Sequence, residues 1–147
     1  SSQRPIGASG RRQPAVSFSI AYDTDMKRVL SIGQCGFDHG HIAAALRRAF
    51  GCEVDAAAGA DDALRRIAAA RPDLVLVNRV LDADGGDGLE VIGKLKADAA
   101  AAPLPVMLVS NYAEYQSQAA ALGAVPGFGK AELAQTATLE KLRPFLG

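Results

Sequence analysis

Three groups of side chains in this sequence are of types that could do chemistry. Cys35, His39 and His41, within Gln34-Cys35-Gly36-Phe37-Asp38-His39-Gly40-His41, offer a thiolate and two imidazoles, the donors that suit zinc and similar ions. They lack a fourth matching partner, so no metal is expected there; Asp38 is expected to be the N-cap of a helix, with both histidines on its exposed first turn. Asp82, Asp84 and Asp87 lie in Asp82-Ala83-Asp84-Gly85-Gly86-Asp87-Gly88 and, with Asp38, form a candidate cation or small-ligand set of hard oxygen donors. Their order does not fit a calcium-binding helix-loop-helix, so the expectation is a solvated turn in which Asp87 caps the next helix. The third group is an amide, a hydroxyl and an ammonium: Asn78, Ser110 (followed by Asn111) and Lys130, each at the end of an apolar run.

The elements that must position these groups follow from composition and periodicity. The chain has 147 residues, 49% hydrophobic and 22% charged, which suits one domain able to bury its own core. Sixteen basic and sixteen acidic residues cancel to a formal charge of +0, so no global field favours nucleic acid or an anionic membrane. No apolar run approaches the roughly 20 residues needed to span a bilayer, and the N-terminus lacks the order of a secretory signal. The expectation is a cytoplasmic protein with no nucleic-acid or membrane partner. Two cysteines, Cys35 and Cys52, are expected to stay free thiols, since parallel strands would hold them at opposite ends of a sheet.

Residues 1–25, rich in Gly, Ser, Pro, Gln and Arg in their first half, read as an N-terminal tail, with an extra strand over 16–22 as one reading of Val16-Ser17-Phe18-Ser19-Ile20-Ala21-Tyr22. Residues 26–147 read as the domain. There, apolar strands at 29–32, 53–56, 73–78, 105–110 and 124–128 alternate with helices at 38–50, 60–70, 89–97, 113–122 and 131–142. This order implies an α/β domain with a doubly wound, five-stranded parallel sheet in the flavodoxin-like order 2-1-3-4-5. Such sheets concentrate function at the carboxyl ends of their strands, where Gly33, Gln34, Asn78, Ser110, Asn111 and Lys130 arrive.

Five segments in order, Lys27-Arg28-Val29-Leu30-Ser31-Ile32, Arg71-Pro72-Asp73-Leu74-Val75-Leu76-Val77-Asn78, Asp87-Gly88-Leu89-Glu90-Val91, Pro105-Val106-Met107-Leu108-Val109-Ser110 and Gly123-Ala124 ahead of Lys130, make the chain resemble a response-regulator receiver domain over about residues 27–146. In that family an acidic pair after strand one and an aspartate after strand three hold Mg²⁺, and that aspartate accepts a phosphoryl group. A Ser or Thr after strand four and a Lys after strand five read the phosphate. The resemblance puts Ser110 and Lys130 at the reader positions, Asn78 at the nucleophile and Gly33-Gln34 at the acidic pair. An amide cannot form the acyl phosphate, and neither Gly nor Gln adds charge for a metal. Lys130 is expected to contact the Asn78 side-chain oxygen or to be solvated. Asn111 is bulkier than the family's usual residue, Gly127 stands where an aromatic often rotates, and the loop after Asn78 is longer by about two residues.

The resemblance therefore implies a degenerate receiver that signals by phosphorylation-independent protein contact in a two-component-type pathway. Its expected contact face is the fourth helix, fifth strand and fifth helix, with Tyr112, Tyr115, Phe128 and Leu133 contributing, toward an unidentified signalling protein or a second copy. The alternative is a metal or small-ligand sensor built on the loops at Cys35–His41 and Asp82–Asp87. No cofactor and no enzymatic activity are expected, since no nucleophile, base and orienting group assemble in the sequence.

Overall fold

A computed structural model of the chain describes residues 26–147; the strand expected over 16–22 lies outside them. Five strands alternate with helices: β1 (Arg28–Ile32), α1 (Gly36–Phe50), β2 (Glu53–Ala57), α2 (Ala60–Ala69), β3 (Leu74–Asn78), α3 (Gly88–Ala97), β4 (Val106–Val109), α4 (Ala113–Ala121), β5 (Val125–Phe128) and α5 (Thr136–Leu146). The strands are all parallel, in the order β2-β1-β3-β4-β5, as the alternation of elements led us to expect.

β3 is the central strand, and its residues Leu74 to Val77 are wholly buried because both faces of the sheet are covered. Alternation sorts them. Val75 and Val77 join Leu30, Ile32, Ile92 and Leu108 in the core under α2, α3 and α4. Leu74 and Leu76 join Val29, Leu46, Met107 and Leu142 in the core under α1 and α5. Each such aliphatic side chain removed from water contributes about 1.5–3 kcal/mol, so β3 fixes the position of its own terminal residue, Asn78, firmly.

Helix ends set the rest. α1 stops at Gly51, whose φ of 69° places it in the left-handed region while its N–H returns to Arg47 O at 2.8 Å. α3 begins at Asp87, whose carboxylate accepts the Leu89 N–H at 2.9 Å, the cap its sequence position implied. Two expectations fail. Asp38 is not the N-cap of α1: the helix starts earlier, at Gly36, and the Cys35 sulfur accepts the Asp38 N–H at 3.4 Å. The last helix does not begin at Ala131; a short 3-10 turn, Lys130–Glu132, comes first, and α5 starts at Thr136. The physical reason is local: Glu132 folds back to accept the Gly129 N–H at 2.8 Å, which closes that turn before a helix can propagate.

β5 is irregular. Met107 pairs with Val125 and Val109 with Phe128, so β5 carries one residue more than β4 over the same stretch. Gly127 lies in this bulge, where a Cβ would overlap the Leu108 carbonyl oxygen.

Candidate functional site

The carboxyl ends of β3, β4 and β5 open into a cavity of about 430 Å³ whose lining includes Asn78, Arg79, Ser110, Asn111, Tyr115 and Lys130. The structure thus brings together four of the residues expected there, Asn78, Ser110, Asn111 and Lys130. Gly33, at the end of β1, adjoins Asn78 from the side.

Asn78 ends β3 and donates both amide protons, to Gly33 O at 3.1 Å and Val80 O at 2.8 Å. Two carbonyl oxygens face this side chain, so an amide satisfies the position and a carboxylate would meet only acceptors. The expected contact with Lys130 is not made. Lys130 Nζ instead donates to Asp38 Oδ2 at 2.6 Å, since a carboxylate within reach is a stronger partner for an ammonium than an amide oxygen. The same hydrogen bond is the main reason that the Asp38 carboxyl titrates below its ordinary range.

Leu81 occupies the space beside Gly33. It is 6% exposed, and a Cβ at Gly33 would overlap its Cδ2. Gly33 also has a φ of 79°, so the position needs glycine twice over. The loop that seats Leu81 is the lengthened β3–α3 connection. Leu81 N–H donates to Gly86 O at 2.9 Å, Gly85 N–H to Leu81 O at 2.8 Å, and Asp82 N–H to Gly33 O at 2.9 Å. Its carboxylates have structural tasks: Asp84 accepts the Gly86 N–H at 2.8 Å, and Asp87 both caps α3 and pairs with Arg79 at 3.2 Å. Asp82 is exposed, and Asp38 lies with Lys130 rather than with this loop.

Ser110 Oγ accepts the Tyr112 N–H at 3.2 Å, holding the chain as it turns into α4. Asn111 lays its side chain over Gly129, where a Cβ would overlap it, and accepts the Ala131 N–H at 3.4 Å. Gln34 is half-buried, and neither polar atom of its amide meets a protein partner. His41 is exposed with its ring 4.5 Å from that of Phe37, while His39 is half-buried. Cys35 and Cys52 are free, and burial pushes the Cys52 thiol up. Among the described residues no group of three His, Cys, Asp or Glu side chains converges to hold a metal ion.

Three participants were not singled out from the sequence as parts of this site. Arg79 lies 4.1 Å over the Tyr115 ring while pairing with Asp87, which ties the mouth of the cavity to α4. Gln116 bridges β4 to β5 through Leu108 O at 2.9 Å, Ser110 O at 3.2 Å and the Gly127 N–H at 3.2 Å. Leu81 was legible only as the single large apolar residue in an otherwise polar, glycine-rich loop.

No protein-family model matches the sequence, and no curated protein matches it. Solved structures do match. The signal receiver domain of a DNA-binding response regulator from Colwellia psychrerythraea 34H matches with a TM-score of 0.67 at 23% identity, over 80% of this chain and 96% of that one. The chemotaxis response regulator CheY4 of Vibrio cholerae matches at 0.60 and 21% identity, over 81% and 94%. A response regulator from Burkholderia pseudomallei, solved with a phosphorylated aspartic acid and a calcium ion, matches at 0.61 and 24%, over 82% and 66%. The fold is that of response-regulator receiver domains, as the sequence motifs implied.

The Mg²⁺ that this fold family implies does not fit the residues present. Gly33, Gln34 and Asn78 supply no carboxylate, and the Leu81 side chain sits against Gly33 where hard oxygen ligands are required. No described helix is long and apolar enough to cross a membrane.

Proposed function

We propose that this chain is a receiver-type signalling module that works in the cytoplasm by protein contact, without phosphorylation and without catalysis of its own. The observation that carries this reading is the Asn78 amide, which donates to two backbone carbonyls and so has a structural role incompatible with a carboxylate nucleophile. Leu81 against Gly33 supports it, since an apolar side chain beside that position disfavours a hydrated divalent ion.

In this reading one conformation is set by internal contacts that stand where phosphate would act. Lys130 is held by Asp38 and Ser110 by the Tyr112 amide. The output face is α4, β5 and α5, where Tyr112 is 63% exposed, whereas Phe128, expected to contribute to that face, is 1% exposed and belongs to the core. The partner is a signalling protein or a second copy.

The test exposes wild type and Asn78→Asp to beryllium fluoride with and without Mg²⁺, reading thermal stability and self-association. Wild type is expected to show no Mg²⁺-dependent change in either. A clear Mg²⁺-dependent response by the wild type would overturn the reading.

A further inference from the structure

β2 is an edge strand: among the described residues no strand lies beyond it in the sheet. The Glu53 N–H donates to Lys27 O at 3.0 Å and Ala57 O accepts the Gly33 N–H at 2.8 Å, so the odd-numbered residues of β2 bond to β1. Successive residues of a strand direct these groups to opposite sides, which turns the N–H and C=O of Val54 and Ala56 outward. No backbone group among the described residues meets them. Native sheets blunt such edges. β5, the other edge, carries Pro126 and a bulge, whereas β2 has neither.

The two sides of this edge differ. Val54 belongs to the core under α1, with Phe50 packed against it, and Ala56 on the same face is exposed. On the opposite face Asp55 is exposed and pairs with Arg28. A strand added here needs large apolar side chains on the α1 side and small or polar ones on the other. Val16-Ser17-Phe18-Ser19-Ile20-Ala21-Tyr22 has that alternation, large apolar residues at even positions and Ser or Ala at odd ones.

We propose that residues 16–22 pair with the outer edge of β2 as an antiparallel strand of the same chain, Phe18 opposite Ala56 and Ile20 opposite Val54. In this register Phe18 and Ile20 exchange N–H and C=O bonds with the outward groups of Ala56 and Val54. Their side chains cover Ala56, Val54 and Phe50, while Ser19 stands opposite Asp55 on the other face. The connection is long enough. Antiparallel pairing brings Tyr22 to the end of the sheet where β1 begins, two strand spacings or about 10 Å away, and the six steps from Tyr22 to Arg28 reach about 20 Å. Met26 already lies beside β2, lining one hollow with Glu53 and Asp55. The outer edge of β5 is four spacings from β1, about 19 Å, nearly the full extension of that connection.

Charge agrees with this direction. Residues 1–22 carry Arg4, Arg11 and Arg12 and no carboxylate. The antiparallel run takes Arg11 and Arg12 past Ala57 to the start of α2, where Asp61 is exposed and in no salt bridge among the described residues. The pairing is separate from the α4–β5–α5 face and holds whether or not Asn78 takes part in signalling.

Amide hydrogen exchange of the full chain, read residue by residue, is the test. The Val54 and Ala56 amides are expected to be protected in wild type. Ile20→Pro removes an N–H directed at β2, so both amides are expected to exchange at least about tenfold faster. Ser19→Pro removes an N–H that faces away from β2 and leaves them as in wild type. Amides of β3 keep their protection in both variants, which separates loss of the added strand from unfolding. Ser19→Cys with Asp55→Cys puts two thiols in a cross-strand pair whose Cα atoms lie about 4.5 Å apart, within disulfide range. Mild oxidation of a dilute sample is expected to join them within one chain, as mapped by mass spectrometry.

Unprotected Val54 and Ala56 amides in wild type would overturn the proposal, as would protection that survives Ile20→Pro. Equal effects of the two proline variants, or thiols that do not join, overturn it as well. A disulfide between two chains would make a second copy the occupant and overturn it too.

Discussion

Lys130 Nζ donates to Asp38 Oδ2 at 2.6 Å, closing the turn after β5 onto the first turn of α1 across 92 residues of sequence. The pair is about one-third exposed, with side-chain accessibilities of 36% and 30%. It gives Lys130 an internal partner at the rim of the cavity that also holds Asn78 and Ser110. Lys130 is therefore held by the protein itself rather than waiting for an incoming anion.

Replacing Asp38 by Asn, Lys130 by Met, and both together isolates this pair. The coupling is expected to be about 0.5–1 kcal/mol in urea denaturation at neutral pH, the upper part of the range for partly solvated ion pairs. Its pH dependence has a definite sign. The Lys130 hydrogen bond lowers the Asp38 pKa below 3.8, so the stability it contributes is complete above that pH and is lost as pH falls through the lowered value. Asp38→Asn flattens the acid limb of the stability profile below about pH 4, where Asp38 ceases to titrate.

The amide at Asn78 makes an opposite prediction for its carboxylate variant. Asn78→Asp turns two donated hydrogen bonds into contacts between a carboxylate and the carbonyls of Gly33 and Val80. A loss of about 1 kcal/mol is expected in chemical denaturation, the net contribution of a hydrogen bond at a position that is only partly buried. The new carboxyl is pushed up by those oxygens, so the loss is greatest when it is ionised and shrinks as pH falls and a proton restores one donor. A variant as stable as wild type at pH 7 would contradict the hydrogen-bond assignment.

Much of this was readable from the residues, and the parts that were not have physical causes. The strands were legible because apolar runs such as Leu74 to Val77 are buried on both faces and leave no ambiguity of period. The Asp87 cap was legible because capping is local. The Lys130 partner was not, since Asp38 lies in a different element and only the sheet order brings them together. Asp38 was misread as the N-cap because Cys35, an uncommon capping residue, took that role. The start of α5 was misplaced because Glu132 closes its own turn, a choice that helix propensity does not anticipate.

Gly33 and Leu81 form a matched pair whose coupling can be measured. Gly33→Ala introduces a Cβ that overlaps Leu81 Cδ2 at a residue with φ of 79°, so a loss of about 2 kcal/mol or more is expected from left-handed strain and overpacking together. Leu81→Ala alone is expected to cost about 2–5 kcal/mol as a buried truncation. Together they are expected to cost less than their sum, because the shortened side chain makes room for the new methyl. Strict additivity in thermal or urea unfolding would show that Leu81 does not fill the space beside Gly33.

Gln116 is the clearest case of a side chain replacing a missing backbone ladder. Its carboxamide donates to the carbonyls of Leu108 and Ser110 and accepts the Gly127 N–H, spanning the bulge that puts β5 out of step with β4. Gln116→Leu keeps much of the volume and leaves these backbone groups without that partner, so a loss of about 1–3 kcal/mol is expected in urea denaturation. Hydrogen exchange separates this from a general loss of stability. Under conditions where local opening dominates, the Gly127 amide is expected to exchange about tenfold faster, whereas the amides of β1 and β3 keep their protection. Because Gln116 belongs to α4, the same measurement reports how firmly that helix is pinned to the sheet. Unchanged Gly127 exchange in the Leu variant would remove Gln116 from this role and leave the bulge to be held by Lys141, which reaches Gly127 O from α5 at 3.0 Å.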